Sequence, residues 1–428
     1  MPQTTRRASV FANRDFSLLF GGSSISAIGD QFTMVALPWL VLKLNHDPGA
    51  LGLVLAVMAL PRAAFMLIGG AVVDRMSPRR VLLVSRAVNA VFVTLLAALV
   101  LTGLIKMWML YVIAVGIGLS TAFAYPAGSS ILPQLVEKDQ LQAANTLVMG
   151  MRQVSLIIGP ILAGLLIAGG SHAVANRGLA DAGGMGLAFS IDAASFLFSL
   201  LSLYLIRVHT DEHPPQPKGG VLADVAAGLR NIWADVQLRS FILYVAIVSI
   251  FVGGPVQVGL PIFAETRLPY GAASLGILVT VYGGGILVGN ILSRAMMKLV
   301  RGHLGSMILC LDTVAGLLFV TLTQVHSTSG GSLLLALVGC FAGVAQIVVM
   351  SWIQQRVPQA MMGRTMSVLF FTFMGVGPIS AAVAGALLKF ISLTALFTGA
   401  GLSLSLIALF CLTRPALRGI GLMAPANP

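Results

Sequence analysis

Runs of about 18 or more apolar residues recur along this 428-residue chain, and that single feature leaves few folds open. Such a run is what a helix needs to cross the hydrocarbon of a bilayer, where each backbone polar group must be satisfied within its own segment. Only 9% of the residues are charged, against about a quarter in a typical soluble protein, and 57% are apolar or aromatic. A water-soluble globule cannot hide that much apolar surface, so length here counts membrane spans rather than domains.

Hydropathy between polar breaks predicts twelve spans, near residues 16–41, 50–73, 81–103, 107–134, 141–169, 187–206, 239–264, 272–297, 304–325, 332–356, 364–388 and 391–413. The first follows Arg6, Arg7 and Arg14 as a signal peptide would, but it is too long for an h-region and is expected to stay as a span. The net charge of +12 sits in short clusters between apolar runs, without interleaved aromatics, which excludes a nucleic-acid surface and points to topology. With both termini in the cytoplasm, the outer segments hold only Lys43, Lys106, Arg177, Arg267 and Lys389, while Arg62, Arg86 and Arg152 fall inside spans. The other basic residues lie on inner segments, so the positive-inside rule selects this orientation, in a bacterial inner membrane.

Cys310, Cys340 and Cys411 all fall in apolar runs without metal or redox spacing and read as small buried residues. No H-E-x-x-H, Walker-type loop or nucleophile elbow is present, so neither enzymatic activity nor a metal or other cofactor is implied.

His209 to Gly220 is polar and carries Pro214, Pro215, Pro217, Gly219 and Gly220, which stop a helix. Beyond it, Leu222, Val225, Leu229, Ile232, Trp233 and Val236 recur at helical spacing, predicting an amphipathic helix along the inner surface that acts as a tether. The chain thus divides into a six-helix bundle at 1–206, a linker at 207–238, and a second bundle with a short tail at 239–428. The bundles match faintly at an offset of about 218 residues: Gly70, Arg75 and Arg79 correspond to Gly289, Arg294 and Lys298, and Gly159-Pro160 to Gly377-Pro378. Duplicated bundles with a site between them near mid-membrane are a recurring transporter architecture.

The stretch from Gly69 to Arg80, with Gly70, then Asp74-Arg75, then Arg79-Arg80, resembles the cytoplasmic signature of the major facilitator superfamily between helices two and three. Ile28 to Gln31, Leu60 to Arg62, Asn145 and Gly159-Pro160 are similar to the branch of drug–proton antiporters, macrolide efflux proteins and enterobactin exporters. The resemblance implies an all-α fold of twelve transmembrane helices in two pseudo-symmetric bundles. It also implies a monomer that binds a small-molecule substrate and moves it by alternating access, with protons as the coupling ion. Ser77 stands where the superfamily often has glycine, and the fourth span lacks the arginine many of its antiporters carry, so no proton relay is carried over to that helix.

A charge at the centre of a span costs about 2.5 to 3.5 kcal/mol on insertion scales, so each one needs a partner, water or a task. Asp30 lies roughly 21 Å into the first span at 1.5 Å per residue, and Arg62 reaches a similar depth in the second. Ser23, Ser26, Asp30 and Thr33 share one helix face, which is expected to meet water. Asp30 is therefore a candidate for taking up and releasing the coupling proton with Arg62 tuning it, since burial favours the neutral acid and a guanidinium the ionised one. A permanent buried ion pair that fixes two helices is the alternative. Arg152, with Asn145 and Met149 on roughly its own face, reads either as a site for an anionic substrate group or a charge relay to Asp30, or as an arginine that snorkels to the surface.

Asp192 and Asp312 read as interfacial or helix-pairing groups, Asp312 with Arg294 as a partner, and Glu265 as solvated. The resemblance implies a cytoplasmic gate of Gly70, Asp74, Arg75, Arg79 and Arg80. Asp74 near Arg364 and the positive end of span eleven would latch the outward-facing state, while Arg79 and Arg80 serve as inside-positive anchors. Ser26, Thr33, Tyr125, Gln257, Tyr282, Gln346, Met350 and Gln354 either line a cavity suited to varied amphiphiles or pack between helices. Gly159, Pro160, Gly377 and Pro378 permit helix bending at a gate, or close packing alone.

The function expected is proton-coupled export of an amphiphilic small molecule such as a drug or siderophore. A lipid or lysolipid flippase or an importer of the same fold is the transporter alternative. A transport-inactive receptor or assembly partner is the alternative of another class.

Overall fold

The computed structural model describes residues 10–137, 139–170, 181–207, 229–230, 232–300, 303–357 and 359–420. Among the described residues there are twelve long helices: α1 (Arg14–Asn45), α2 (Pro48–Arg75), α3 (Pro78–Thr102), α4 (Met107–Ile131), α5 (Leu141–Gly169) and α6 (Ala182–Leu205). Then follow α7 (Val236–Arg267), α8 (Ala272–Leu299), α9 (Leu304–Leu322), α10 (Thr328–Arg356), α11 (Gln359–Leu387) and α12 (Leu393–Leu412). Eleven are long and apolar enough to cross a membrane, and the remaining one, α11, contributes an apolar described stretch at Gly375–Leu387. The expected tether helix lies mostly outside the described residues; of its apolar positions, Leu229, Ile232 and Trp233 are helical, and Val236 is instead the first residue of α7.

Local chemistry sets the helix ends. The Asn13 side chain accepts from the N–H groups of Asp15 and Phe16 at 2.9 and 3.1 Å and starts α1. Asp235 does the same for α7, accepting from Gln237 at 3.0 Å and Leu238 at 3.2 Å. Gly103 closes α3 in the left-handed region at φ 72°. Within α7, Pro255 brings no N–H to the ladder, and the helix passes through a π turn at Pro255–Gly259.

The end of the bundle where α1 begins is proximal here, and the opposite end distal. At the distal end one apolar core draws on both halves of the chain, joining Trp39, Leu40 and Leu51 with Val258, Phe263, Leu275 and Phe397. At the proximal end the cores are separate, one around Phe16, Leu82, Ile131 and Leu203, the other around Phe241, Ile308, Val348 and Trp352. Among the described residues the halves therefore share one core distally and have separate cores proximally.

Glycine makes that distal junction possible at two matching places. A Cβ on Gly164 of α5 would lie 2.6 Å from the Ala272 carbonyl oxygen and 3.0 Å from the Gly276 Cα of α8. A Cβ on Gly52 of α2 would lie 2.6 Å from the Ala381 carbonyl oxygen and 3.1 Å from the Gly385 Cα of α11. The duplication read from the sequence thus reappears as two equivalent helix crossings that only glycine admits. Two ion pairs join the same end: Lys43 with Glu265 at 2.8 Å and Lys389 with Asp47 at 2.9 Å. Glu265, expected to be solvated, is instead the partner that α7 offers to α1.

Candidate functional site

Helices α1, α3, α4 and α5 line a cavity of about 210 Å³ in the proximal half of the bundle. Helix α1 lines it with Leu19, Phe20, Ser23, Ser26 and Asp30, α3 with Leu82 and Arg86, α4 with Thr121 and Tyr125, and α5 with Val148, Met151 and Arg152. The walls are apolar and aromatic with a few polar groups converging, the composition of a small-molecule site.

Asp30 is deep within the bundle yet exposed to this cavity, as expected for the wettable face of α1. The cations brought to it are Arg86 and Arg152. Arg86 also donates to the Ser23 hydroxyl at 3.4 Å, and the Arg152 guanidinium lies 5.5 Å from the centre of the Tyr125 ring. Arg62, paired with Asp30 on the sequence, is not among the lining residues, and Tyr125 is one of its neighbours. Counting residues along a span fixes height and says nothing of bearing: α1 runs along α6 and α5 and meets α2 only briefly. The rule that singled out Arg62, an arginine inside a span, applied equally to Arg86.

Thr33 turns away from the cavity and donates to Asp192 Oδ2 at 2.5 Å. Asp192 is the eleventh residue of α6 and 1% exposed, so it is deeper than an interfacial group, and it does pair two helices. Asp312 accepts from the Tyr244 hydroxyl at 2.6 Å, which makes Tyr244 its partner rather than Arg294. Asn145 donates within its own helix to the Leu141 carbonyl at 3.0 Å. Gln346 and Gln354 are exposed on α10 with Met350 half-buried between them, and with Gln257 and Tyr282 they lie apart from this cavity's lining.

The two Gly-Pro elements sit in matching surroundings. A Cβ on Gly159 would lie 2.5 Å from Gln31 Cγ on α1, next to Asp30, and one on Gly377 would lie 3.2 Å from Gln257 Nε2 on α7. Each glycine admits a glutamine of the first helix of its half. Arg79 donates to the carbonyls of Leu203 at 3.3 Å and Tyr204 at 2.7 Å, a cation on the last turn of α6, and Arg80 is exposed. The surroundings of Gly70 and the side chains of Asp74, Arg75 and Arg364 lie outside the described part of the structure.

A bundle of membrane spans around a charged, apolar-walled cavity has the form of a transporter of small molecules. Residues 19–382 match the family model described as Major Facilitator Superfamily, and the chain belongs to that family. It is 28% identical over 421 residues to the multidrug efflux pump Tap of Mycolicibacterium fortuitum, covering 95% of this chain and 96% of the pump. It is 25% identical over 350 residues to the enterobactin exporter EntS of Salmonella choleraesuis, covering 82% of this chain and 80% of that exporter. Among solved structures, a point mutant of the nucleoside transporter NupG superposes with a TM-score of 0.75 at 10% identity, covering 92% of this chain and 99% of that one. A bacterial homologue of the iron transporter ferroportin in its inward-facing state gives 0.69 at 18% identity, covering 94% and 99%.

Proposed function

We propose that this protein is a proton-coupled exporter of an amphiphilic small molecule, working by alternating access in a bacterial inner membrane with both termini cytoplasmic. The observation that carries the reading is the cavity itself: Asp30 faces it beside Arg86 and Arg152, between apolar and aromatic walls. An acid in such a place is pulled two ways, toward the neutral form by the low dielectric and toward the ionised form by the guanidinium groups. Gain or loss of one proton therefore decides whether Arg86 and Arg152 are engaged by Asp30 or released to the cavity. Tyr125 and the methionine and leucine side chains around it suit the body of an amphiphile.

Separate proximal cores and a shared distal core fit a cavity that opens toward the cytoplasm. Export then requires the 1–206 bundle to rock against the 239–428 bundle, opening the distal seal and closing the proximal gap. Asp74 and Arg364 are the proposed latch of the proximal gate, with Gly70 and Arg75 beside them. The relatives that are named as a multidrug pump and an enterobactin exporter support the outward direction.

The test is transport in proteoliposomes loaded with a pH-sensitive dye, using ethidium, rhodamine 6G and a catecholate siderophore as probes. Wild-type protein should move at least one probe with a matching movement of protons, and Asp30→Asn should lose the proton movement. Proton-coupled transport at the wild-type rate by Asp30→Asn sinks the role of Asp30, and failure of the wild type to move any probe counts against export.

A further inference from the structure

Behind Asp30, on the side of α1 that faces away from the cavity, lies a second carboxyl group. Asp192 is 1% exposed, and its contacts are hydroxyls: Thr33 donates to Oδ2 at 2.5 Å, and Ser195 donates to Oδ1 at 3.3 Å. Helices α1 and α6 touch so closely there that a Cβ on Gly29 would lie 2.7 Å from Asp192 Oδ1 and 2.7 Å from Ser195 Cβ. Gly29 and Thr33 bracket Asp30 on α1, so the Asp192 carboxyl is seated against the very turn that presents Asp30 to the cavity.

An acid removed from water has to be balanced by a cation, a metal or a proton. Among the described residues no lysine or arginine is within ion-pair distance of Asp192, and no cluster of three or more metal-ligating side chains forms. What remains to balance it is a proton. The charged side chains in the interior of the helices packed against α6 are Asp30 on α1, Arg86 on α3 and Arg152 on α5, and the two arginines serve the cavity side. Asp192 meets Gly29 on one side of Asp30 and Thr33 on the other, so the two acids lie at similar height on opposite sides of α1.

We infer that Asp192 is a second proton-binding site, holding a proton against the turn of α1 that presents Asp30 to the cavity, so that the protonation of one acid bears on that of the other. The inference rests on the proton-coupled reading of Asp30 and adds a second group that takes up a proton beside it.

The experiment is infrared difference spectroscopy of the full chain in lipid, stepped in pH, with 13C-labelled aspartate to mark acid C=O bands. Asp192→Asn keeps the size of the side chain and an acceptor for Thr33, and Thr33→Val keeps shape while removing the hydroxyl. Wild-type protein should show an acid band that is lost in Asp192→Asn and displaced in Thr33→Val, and in both variants the titration of the Asp30 band should move. Asp312→Asn should leave that band in place. An unchanged acid band in Asp192→Asn, or an Asp30 titration that neither variant moves, overturns the inference. No transported probe is needed, so this result is independent of whether export itself is observed.

Discussion

Asp30 draws its meaning from four helices, and each neighbour has a separate job. Arg86 on α3 shares the cavity with it and donates to Ser23, Arg152 on α5 shares the cavity and sits against Tyr125, and Thr33 ties the back of the same turn to Asp192. Groups this close do not act additively; interaction energies of about 0.5 to 3 kcal/mol are usual for partners in one polar network. Arg86→Gln should therefore lower the thermal stability of the purified protein by leaving Asp30 with one cation, and Asp30→Asn in the same chain should restore part of the loss. A double-mutant cycle from melting curves measures this, and strict additivity of the two changes would show that Arg86 and Asp30 are not coupled. Asp30 as a functional candidate was legible in the sequence because a charge within a span is costly wherever it points. Its cation was not, because counting residues matched Asp30 with Arg62, and only the packing of the helices brings Arg86 and Arg152 to its cavity instead.

Helix α7 shows how an element can depend on a single side chain. Asp235 caps its first turn and takes a two-pronged bond from Arg356 at the end of α10, at 2.5 Å to Nε and 3.0 Å to an Nη. The Arg356 bond holds the Asp235 carboxyl below the usual carboxylate range against the opposing effect of burial, with the N–H groups of Leu238 and Gln237 adding to it. Because the folded-state value lies below the unfolded value of about 3.9, this stabilisation is complete above that pH and fades as pH falls through the folded value. Asp235→Ala should cost about 1 kcal/mol as a lost cap. The gap in melting temperature between variant and wild type should hold steady from about pH 5 to 7 and narrow below about pH 4. A gap that widens in acid would contradict the assignment. Span number and approximate ends followed from hydropathy, whereas the pairing of Asp235 with Arg356 depends on a neighbour 121 residues away.

At the scale of the molecule the two glycine crossings, α5 on α8 and α2 on α11, decide whether the distal end can close. Gly164→Val pushes a branched side chain into the α8 backbone and should hold the halves apart. Val41, fully buried in the distal core, reports on that opening once it is replaced by cysteine in a chain freed of Cys310, Cys340 and Cys411. A membrane-impermeant maleimide applied from outside should leave Val41→Cys unlabelled alone and label it when Gly164→Val is present. Equal protection in both would mean that the glycine contact does not control closure. Hydrophobic run length by itself determined that the chain spans a membrane many times, because lipid offers the backbone no partner and only helices satisfy it alone. The repeat of Gly159-Pro160 in Gly377-Pro378 likewise stood in the sequence as a sign of duplication. Tertiary structure alone decided which arginines share the cavity with Asp30, that Thr33 leaves the cavity to hold Asp192, and that the described cores of the two halves merge distally and are separate proximally. Those outcomes depend on the rotation of each helix about its axis and on its choice of neighbours, which a one-dimensional pattern of apolar residues leaves open when a span is apolar on nearly every side.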